Sequence, residues 1–124
     1  APAGHSLAAC DEIDLAKLAD EPFILEDRAY DYDITRVITN AGVHPDVRWT
    51  SKDELAILAM VKLELGVSVL PALYLHEEHP GVAVRPLVPR AFRQLGAMVP
   101  DLDSLSPAAR RFLASARKTM GISP

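Results

Sequence analysis

SKDELAILAMVKLELGVSVLP, residues Ser51–Pro71, is the stretch that decides the fold. Residues 55–61 are all apolar and rich in the helix formers Leu, Ala and Met. Ser51 is followed three residues later by Glu54, which is the spacing of a capping box, where each side chain bonds the backbone amide of the other residue. The stretch therefore predicts a buried helix that begins at a Ser51 cap.

The end of the same stretch predicts a change from helix to strand. Gly66 is typical of a position at or just past a helix C-terminus. Val67–Leu70 has the composition of a buried strand, and Pro71 ends it. An apolar helix that leads through a glycine into a buried strand is half of a parallel α/β layer.

The residues upstream extend this layer. Pro22–Leu25 and Val47–Thr50 read as strands, and Ile34–Ala41 reads as a helix between them. The β–α–β–α–β order predicts an α/β fold, with a parallel or mixed sheet and helices on both faces. Ligands bind beyond the carboxyl ends of such strands. The loops at residues 26–32, 51–53 and 71–75 are therefore the candidate binding edge.

The residues downstream predict three further elements. Val82–Val88 and Phe92–Val99 are strand candidates, the first near a sheet edge. Ser106-Pro107 is a strong helix start, with serine as the cap and proline in the first turn. The helix is expected over Pro107–Thr119.

Composition excludes several classes of function. The chain has 124 residues and a net charge of −4, which argues against its gripping DNA or an anionic membrane by itself. A single cysteine, Cys10, excludes an internal disulfide, and an unpaired thiol in a reducing cytosol is expected. No apolar run is long enough to span a bilayer, and the first residues do not resemble a signal peptide.

No catalytic, metal or cofactor site is predicted. His76-Glu77-Glu78-His79 has the wrong spacing for a zinc protease and precedes Pro80-Gly81, so a solvated loop is expected. The carboxylates between Glu26 and Asp33 suit a helix N-terminus better than a cation. Arg28 among them either pairs structurally or serves as a fork for a ligand carboxylate, and the sequence leaves both open. The glycines are scattered, so no phosphate-binding loop is present.

An ordered set of short motifs resembles the effector-binding region of LysR-type transcriptional regulators. Each motif is weak alone, but their order and spacing cover nearly the whole chain. They are Gly4-His5-Ser6-Leu7-Ala8, Asp14-Leu15, Leu18–Ile24, Ala41–Pro45, Asp53-Glu54-Leu55, Gly66–Pro71, Arg93, and Ser106–Ala109 with Phe112.

The resemblance implies one lobe of a type 2 periplasmic-binding-protein fold, the second of two regulatory subdomains. Residues 1–10 would be the incoming crossing segment and residues 11–90 the α/β subdomain. Residues 91–124 would be the return strand and the C-terminal helix, which packs on the first subdomain. The implied partners are a small-molecule effector, a second copy of the regulator, and DNA reached only through a separate N-terminal helix-turn-helix domain. No membrane partner, cofactor, metal or enzymatic activity is implied, and the protein would be cytoplasmic.

Four residues are the candidate effector contacts. Arg28, Tyr30 and Ser68 are expected near the ligand-facing edge of the sheet, and Gln94 on the return strand. The carboxylates beside Arg28 favour a neutral, zwitterionic or amine-bearing effector over a multiply anionic one.

The sequence departs from the family pattern at two positions. Ser6 stands where the family usually has proline. Glu64 stands where it usually has a glycine that allows a left-handed helix cap, so the helix is expected to run on to Leu65.

Two other classes stay open. One is a lobe of a solute-binding protein. The other is an enzyme domain of the same fold type, as in prephenate dehydratase-like proteins, for which the sequence offers no catalytic residue set. A helix-turn-helix upstream would separate the three.

Overall fold

The computed structural model describes residues 1–26, 33–75 and 77–121. They belong to two compact units, Ala1–Arg93 and Gln94–Pro124. The strands are β1 (Ile13–Asp14), β2 (Pro22–Glu26), β3 (Asp46–Ser51) and β4 (Leu87–Val88), the α-helices are α1 (Asp33–Asn40), α2 (Glu54–Lys62) and α3 (Pro107–Thr119), and short 3-10 helices occupy Ser6–Ala9, Leu15–Asp20 and Ala72–Tyr74.

The strands pair in parallel, which confirms the predicted α/β fold. β2 runs beside β3 from the Pro22–Asp46 pair to the Glu26–Ser51 pair. On the other side of β2, Phe23 forms a parallel bridge with Val67. β1 and β4 form a second parallel pair. The order of elements from β2 to Val67 is therefore the predicted β–α–β–α–β.

The predicted strand at Val67–Leu70 follows β2 for only one bridge. The Ile24 amide donates to the Val67 carbonyl, and the Val67 amide donates to the Pro22 carbonyl, both at 2.8 Å. The next bond comes from a side chain, because the Ser68 hydroxyl donates to the Ile24 carbonyl at 2.7 Å. Gly66 is required here, since a Cβ at this position would collide with the Pro22 carbonyl.

The predicted capping box at Ser51 is wrong. Ser51 is the last residue of β3, and Asp53 caps α2. The Asp53 carboxylate accepts from the amides of Leu55 at 2.8 Å and Ala56 at 3.2 Å. The Ser51 hydroxyl instead accepts from the Asp53 amide at 3.1 Å, a local turn that competes with the helical role.

The predicted extension of α2 to Leu65 is also wrong. The helix ends at Lys62, and Glu64 adopts a left-handed conformation with φ of 61°. The Glu64 amide donates to the Val61 carbonyl at 2.9 Å, and the Leu65 amide donates to the Met60 carbonyl at 3.1 Å. This is a Schellman motif, which usually has glycine at the position of Glu64.

The core lies on both sides of β2. Phe23 packs in one apolar cluster with residues such as Leu15 and Val67, and Ile24 packs in another against α2. α2 buries Ile57, Leu58 and Val61, but Leu55 is 74% exposed. A helix that is apolar nearly all round therefore packs with only one face within the described part of the chain.

The first ten residues of the chain are joined to a segment near the end of the first unit. The Arg85 guanidinium donates to the carbonyls of Ala8 and Cys10, each at 2.8 Å. The predicted strand at Val82–Val88 is regular only in β4, with a single antiparallel bridge from Val82 to Pro2.

After β4, the predicted helix is confirmed and the predicted strand is not. α3 has Ser106 as its cap, with the hydroxyl accepting from the Ala109 amide at 3.2 Å, and Pro107 in its first turn. Phe92–Val99, where a strand was predicted, is irregular, because no other strand of the described residues pairs with it. Within the described ranges, no helix has both the length and the apolar character needed to cross a membrane.

Candidate functional site

The carboxyl edge of the β2–β3 pair carries the candidate site. β2 ends at Glu26 and β3 ends at Ser51, and these two residues are register partners. α1 and α2 both begin just beyond this edge, so their N-termini lie on the side where α/β sheets bind ligands.

Glu26 is a buried carboxylate at this edge. It is 6% exposed, although its neighbours in sequence suggested a polar loop. A carboxylate is costly to bury unless hydrogen-bond partners surround it, and Glu26 is the buried charged side chain at the carboxyl edge. Of the ionisable residues in the described ranges, this is the one that the fold buries.

A charged cluster stands at the start of α1. The Asp33 carboxylate accepts from Arg36 through Oδ1 at 2.5 Å and from Arg93 through Oδ2 at 2.9 Å. Asp33 also lies in the first turn of its helix, where the helix dipole favours a negative charge. The cluster brings together two arginines that are far apart in the chain.

The four predicted effector contacts have different outcomes. Ser68 is half-buried beside β2, and because Phe23 pairs with Val67 it lies two residues before the level of Glu26. Its hydroxyl proton is used on the Ile24 carbonyl, which leaves its oxygen as an acceptor. Gln94 is exposed and belongs to the second unit. Arg28 and Tyr30 lie outside the described residues.

Two cavities lined by described residues of the first unit are both smaller than a typical small-molecule pocket. One is apolar, has a volume of about 80 Å³ and is lined by residues such as Leu58, Val69 and Leu87. The other has a volume of about 230 Å³ and lies by Pro22, at the amino edge of the sheet. There His5 Nε2 is 3.2 Å from a Glu21 carboxylate oxygen.

Among the described residues, no group of three His, Cys, Asp or Glu side chains is placed to hold a metal ion. His79 opens a tight turn with Pro80 and Gly81, in which the Val82 amide donates to the His79 carbonyl at 2.9 Å. His76, the other histidine of that motif, is outside the described residues.

Sequence reasoning missed the link between Asp33 and Arg93. In the sequence, Asp33 suggests only a negative charge at a helix N-terminus, and Arg93 is only one position of the family resemblance. Their separation of 60 residues leaves no local pattern to detect, and only the folded chain brings them together.

The family model and two similar curated proteins point to the same family. Residues 1–121 match the model of the LysR substrate binding domain. The chain is 30% identical over 116 residues to the HTH-type transcriptional regulator XapR of Escherichia coli, covering 92% of this chain and 39% of that protein. It is 28% identical over 121 residues to the uncharacterized HTH-type transcriptional regulator YvbU of Bacillus subtilis, covering 94% of this chain and 41% of that protein.

A solved structure gives the same fold. HinK, a LysR family transcriptional regulator from Pseudomonas aeruginosa, superposes with a TM-score of 0.63 at 22% identity, covering 94% of this chain and 42% of that chain. The chain thus spans about two fifths of the length of the regulators that it matches.

Proposed function

The chain belongs to the LysR substrate-binding domain family, and on that premise we propose that it is the effector-sensing part of a transcriptional regulator. The observation that carries this proposal is the family match over residues 1–121. A small molecule binds at the carboxyl edge, between this subdomain and a second one, and closure around it changes how the regulator acts on DNA.

The rest of the complete regulator is part of the same proposal. An N-terminal helix-turn-helix domain reads the DNA, which agrees with the acidic charge of this chain. The regulator works in the cytoplasm, where its DNA target lies, as a homo-oligomer and without catalysing a reaction. The names of the matched relatives, which are HTH-type regulators, support this assignment.

The test is deletion of the gene for the complete regulator, followed by sequencing of the transcripts. We expect a small set of transcripts to change and to be restored by the gene supplied on a plasmid. A transcript profile identical to that of the parent strain would contradict the function.

The effector contacts proposed are Arg28, Tyr30, Ser68 and Gln94. In the complete regulator, Arg28→Ala should weaken the response of a promoter found by that deletion, while the melting temperature of the protein stays within a few degrees of the wild type. Arg90→Ala is the matched control, because Arg90 is exposed and its guanidinium is 3.9 Å from a carboxylate oxygen of Glu12. An unchanged response in the Arg28 variant would remove Arg28 from the site.

A further inference from the structure

The two oxygens of the Asp33 carboxylate pair with two different arginines. Arg36 lies one helical turn away, so its ion pair with Oδ1 stays within α1. Arg93 lies 60 residues away, and its Nε donates to Oδ2 at 2.9 Å. Arg93 is also the last residue of the first unit, so the second pair ties the start of α1 to the segment by which the chain leaves this unit.

The Asp33–Arg93 pair is more sheltered from solvent than the Asp46–Arg48 pair within β3. The side chains are 31% and 29% exposed, against 55% and 58% for the Asp46–Arg48 pair within β3. The helix dipole favours the negative charge of Asp33 without Arg93, so what the pair adds is a link across 60 residues of chain. Its specific effect is to hold Arg93 beside the N-terminus of α1.

We propose that Arg93 is a positioning residue for the carboxyl edge of the sheet and that it acts through Asp33. The pair holds the start of α1 beside residues 91–93, where the chain leaves the first unit. A ligand that displaces the start of α1 therefore also displaces residues 91–93. A partly exposed ion pair adds little to stability, so it can open and close without unfolding the unit. This inference rests on the proposed function, because it needs a ligand at the carboxyl edge.

The first measurement asks whether the pair exists in solution. Trypsin cleaves after arginine only when the side chain is free to enter the protease, so the pair should protect the Arg93–Gln94 bond. In the complete regulator, Asp33→Asn should speed this cleavage about two- to fivefold relative to the Arg90–Ala91 bond, which serves as the internal reference. Asp33→Glu keeps the charge and should restore most of the protection.

The second measurement asks whether the pair transmits the response. The readout is the ratio between the highest and lowest activity of a promoter that responds to deletion of the regulator. Asp33→Asn and Arg93→Gln should each reduce the ratio about two- to fivefold, and Asp33→Glu should recover it. Arg48→Gln breaks an ion pair of the same Nε–Oδ2 type within one strand and should leave the ratio unchanged.

The outcomes separate the inference from the function. If deletion of the gene changes no promoter, the proposed function fails. If deletion changes a promoter but Asp33→Asn responds like the wild type, Arg93 has no positioning role. The same conclusion follows if Asp33→Glu is no better than Asp33→Asn, or if Arg48→Gln has an equal effect. Melting temperatures show which variants are folded, and Asp33→Asn is used for the test if Arg93→Gln does not fold. Equal cleavage of the Arg93–Gln94 bond in Asp33→Asn and the wild type would also contradict the inference.

Discussion

At the scale of the residue, Glu64 holds a conformation that its side chain opposes. Its φ of 61° completes a Schellman motif. For a residue with a Cβ, this left-handed geometry costs about 1–2 kcal/mol of conformational free energy. The carboxylate also stands at the C-terminus of α2, where the helix dipole favours a positive charge. Both effects lower the free energy of unfolding relative to a glycine at this position.

Replacing Glu64 should therefore stabilise the protein. Glu64→Gly should raise the free energy of unfolding by about 1 kcal/mol, because glycine adopts this conformation freely. Glu64→Ala removes the same carboxylate but keeps the Cβ, so its gain should be no more than a few tenths of a kcal/mol, about the size of a dipole effect. Urea unfolding of the three proteins gives the comparison, and equal stabilities for the glycine and alanine variants would contradict the role of the backbone.

The cap of α2 allows a second test at this scale. Asp53→Ala should cost about 1 kcal/mol, because two backbone amides lose their acceptor. Asp53→Asn keeps a side-chain oxygen and should cost less. Ser51→Ala should also cost less, since Ser51 does not cap the helix. A larger loss in Ser51→Ala than in Asp53→Ala would restore the capping box that the sequence suggested.

At the scale of the element, α2 packs against β2 with one face only. Leu58 is 8% exposed and Leu55 is 74% exposed, so the same side chain occurs in two environments on one helix. Leu58→Ala should cost about 2–5 kcal/mol through lost burial and a new cavity. Leu55→Ala should change stability by less than about 0.5 kcal/mol. Chemical denaturation measures both, and a Leu58 loss under about 1 kcal/mol would mean that α2 is not central.

The elements also show which features a sequence can predict. α3 was predictable because Ser106 and Pro107 are adjacent and both act locally. The start of α2 was harder, since Ser51 and Asp53 are both good caps and only the length of β3 decides between them. The prediction of a strand at Phe92–Val99 failed because a strand needs a pairing partner, and composition does not reveal one. The carboxyl edge of the sheet was predictable from the order of the elements, but the Asp33–Arg93 contact depends on tertiary folding.

At the scale of the whole molecule, the second unit leaves large apolar side chains in water. Met98 is 99% exposed and Phe112 is 69% exposed, with Leu95, Leu102 and Met120 also exposed. Each such side chain forfeits roughly 1.5–3 kcal/mol relative to full burial. In a solution of this chain alone, a second copy is the available partner for residues 91–121.

We therefore expect the chain to self-associate. Sedimentation at micromolar concentration should show a dimer that dissociates on dilution, and Phe112→Asn should weaken it. Trp49→Ser is the control, because Trp49 is an exposed apolar residue of β3 in the first unit. A monomer at every concentration, with amide protons of α3 protected from exchange, would show that the helix is covered within its own chain.

The Arg85 contacts have a consequence for how the chain folds. They join residues 75 and 77 positions apart, and β1 pairs with β4 over a similar distance. The contacts within β2–α1–β3–α2 close much shorter loops, and short loops lose less chain entropy when they form. The central layer should therefore form in the transition state for folding, and the β1–β4 junction should close after it. Mutations at Arg85 should then speed unfolding more than they slow folding.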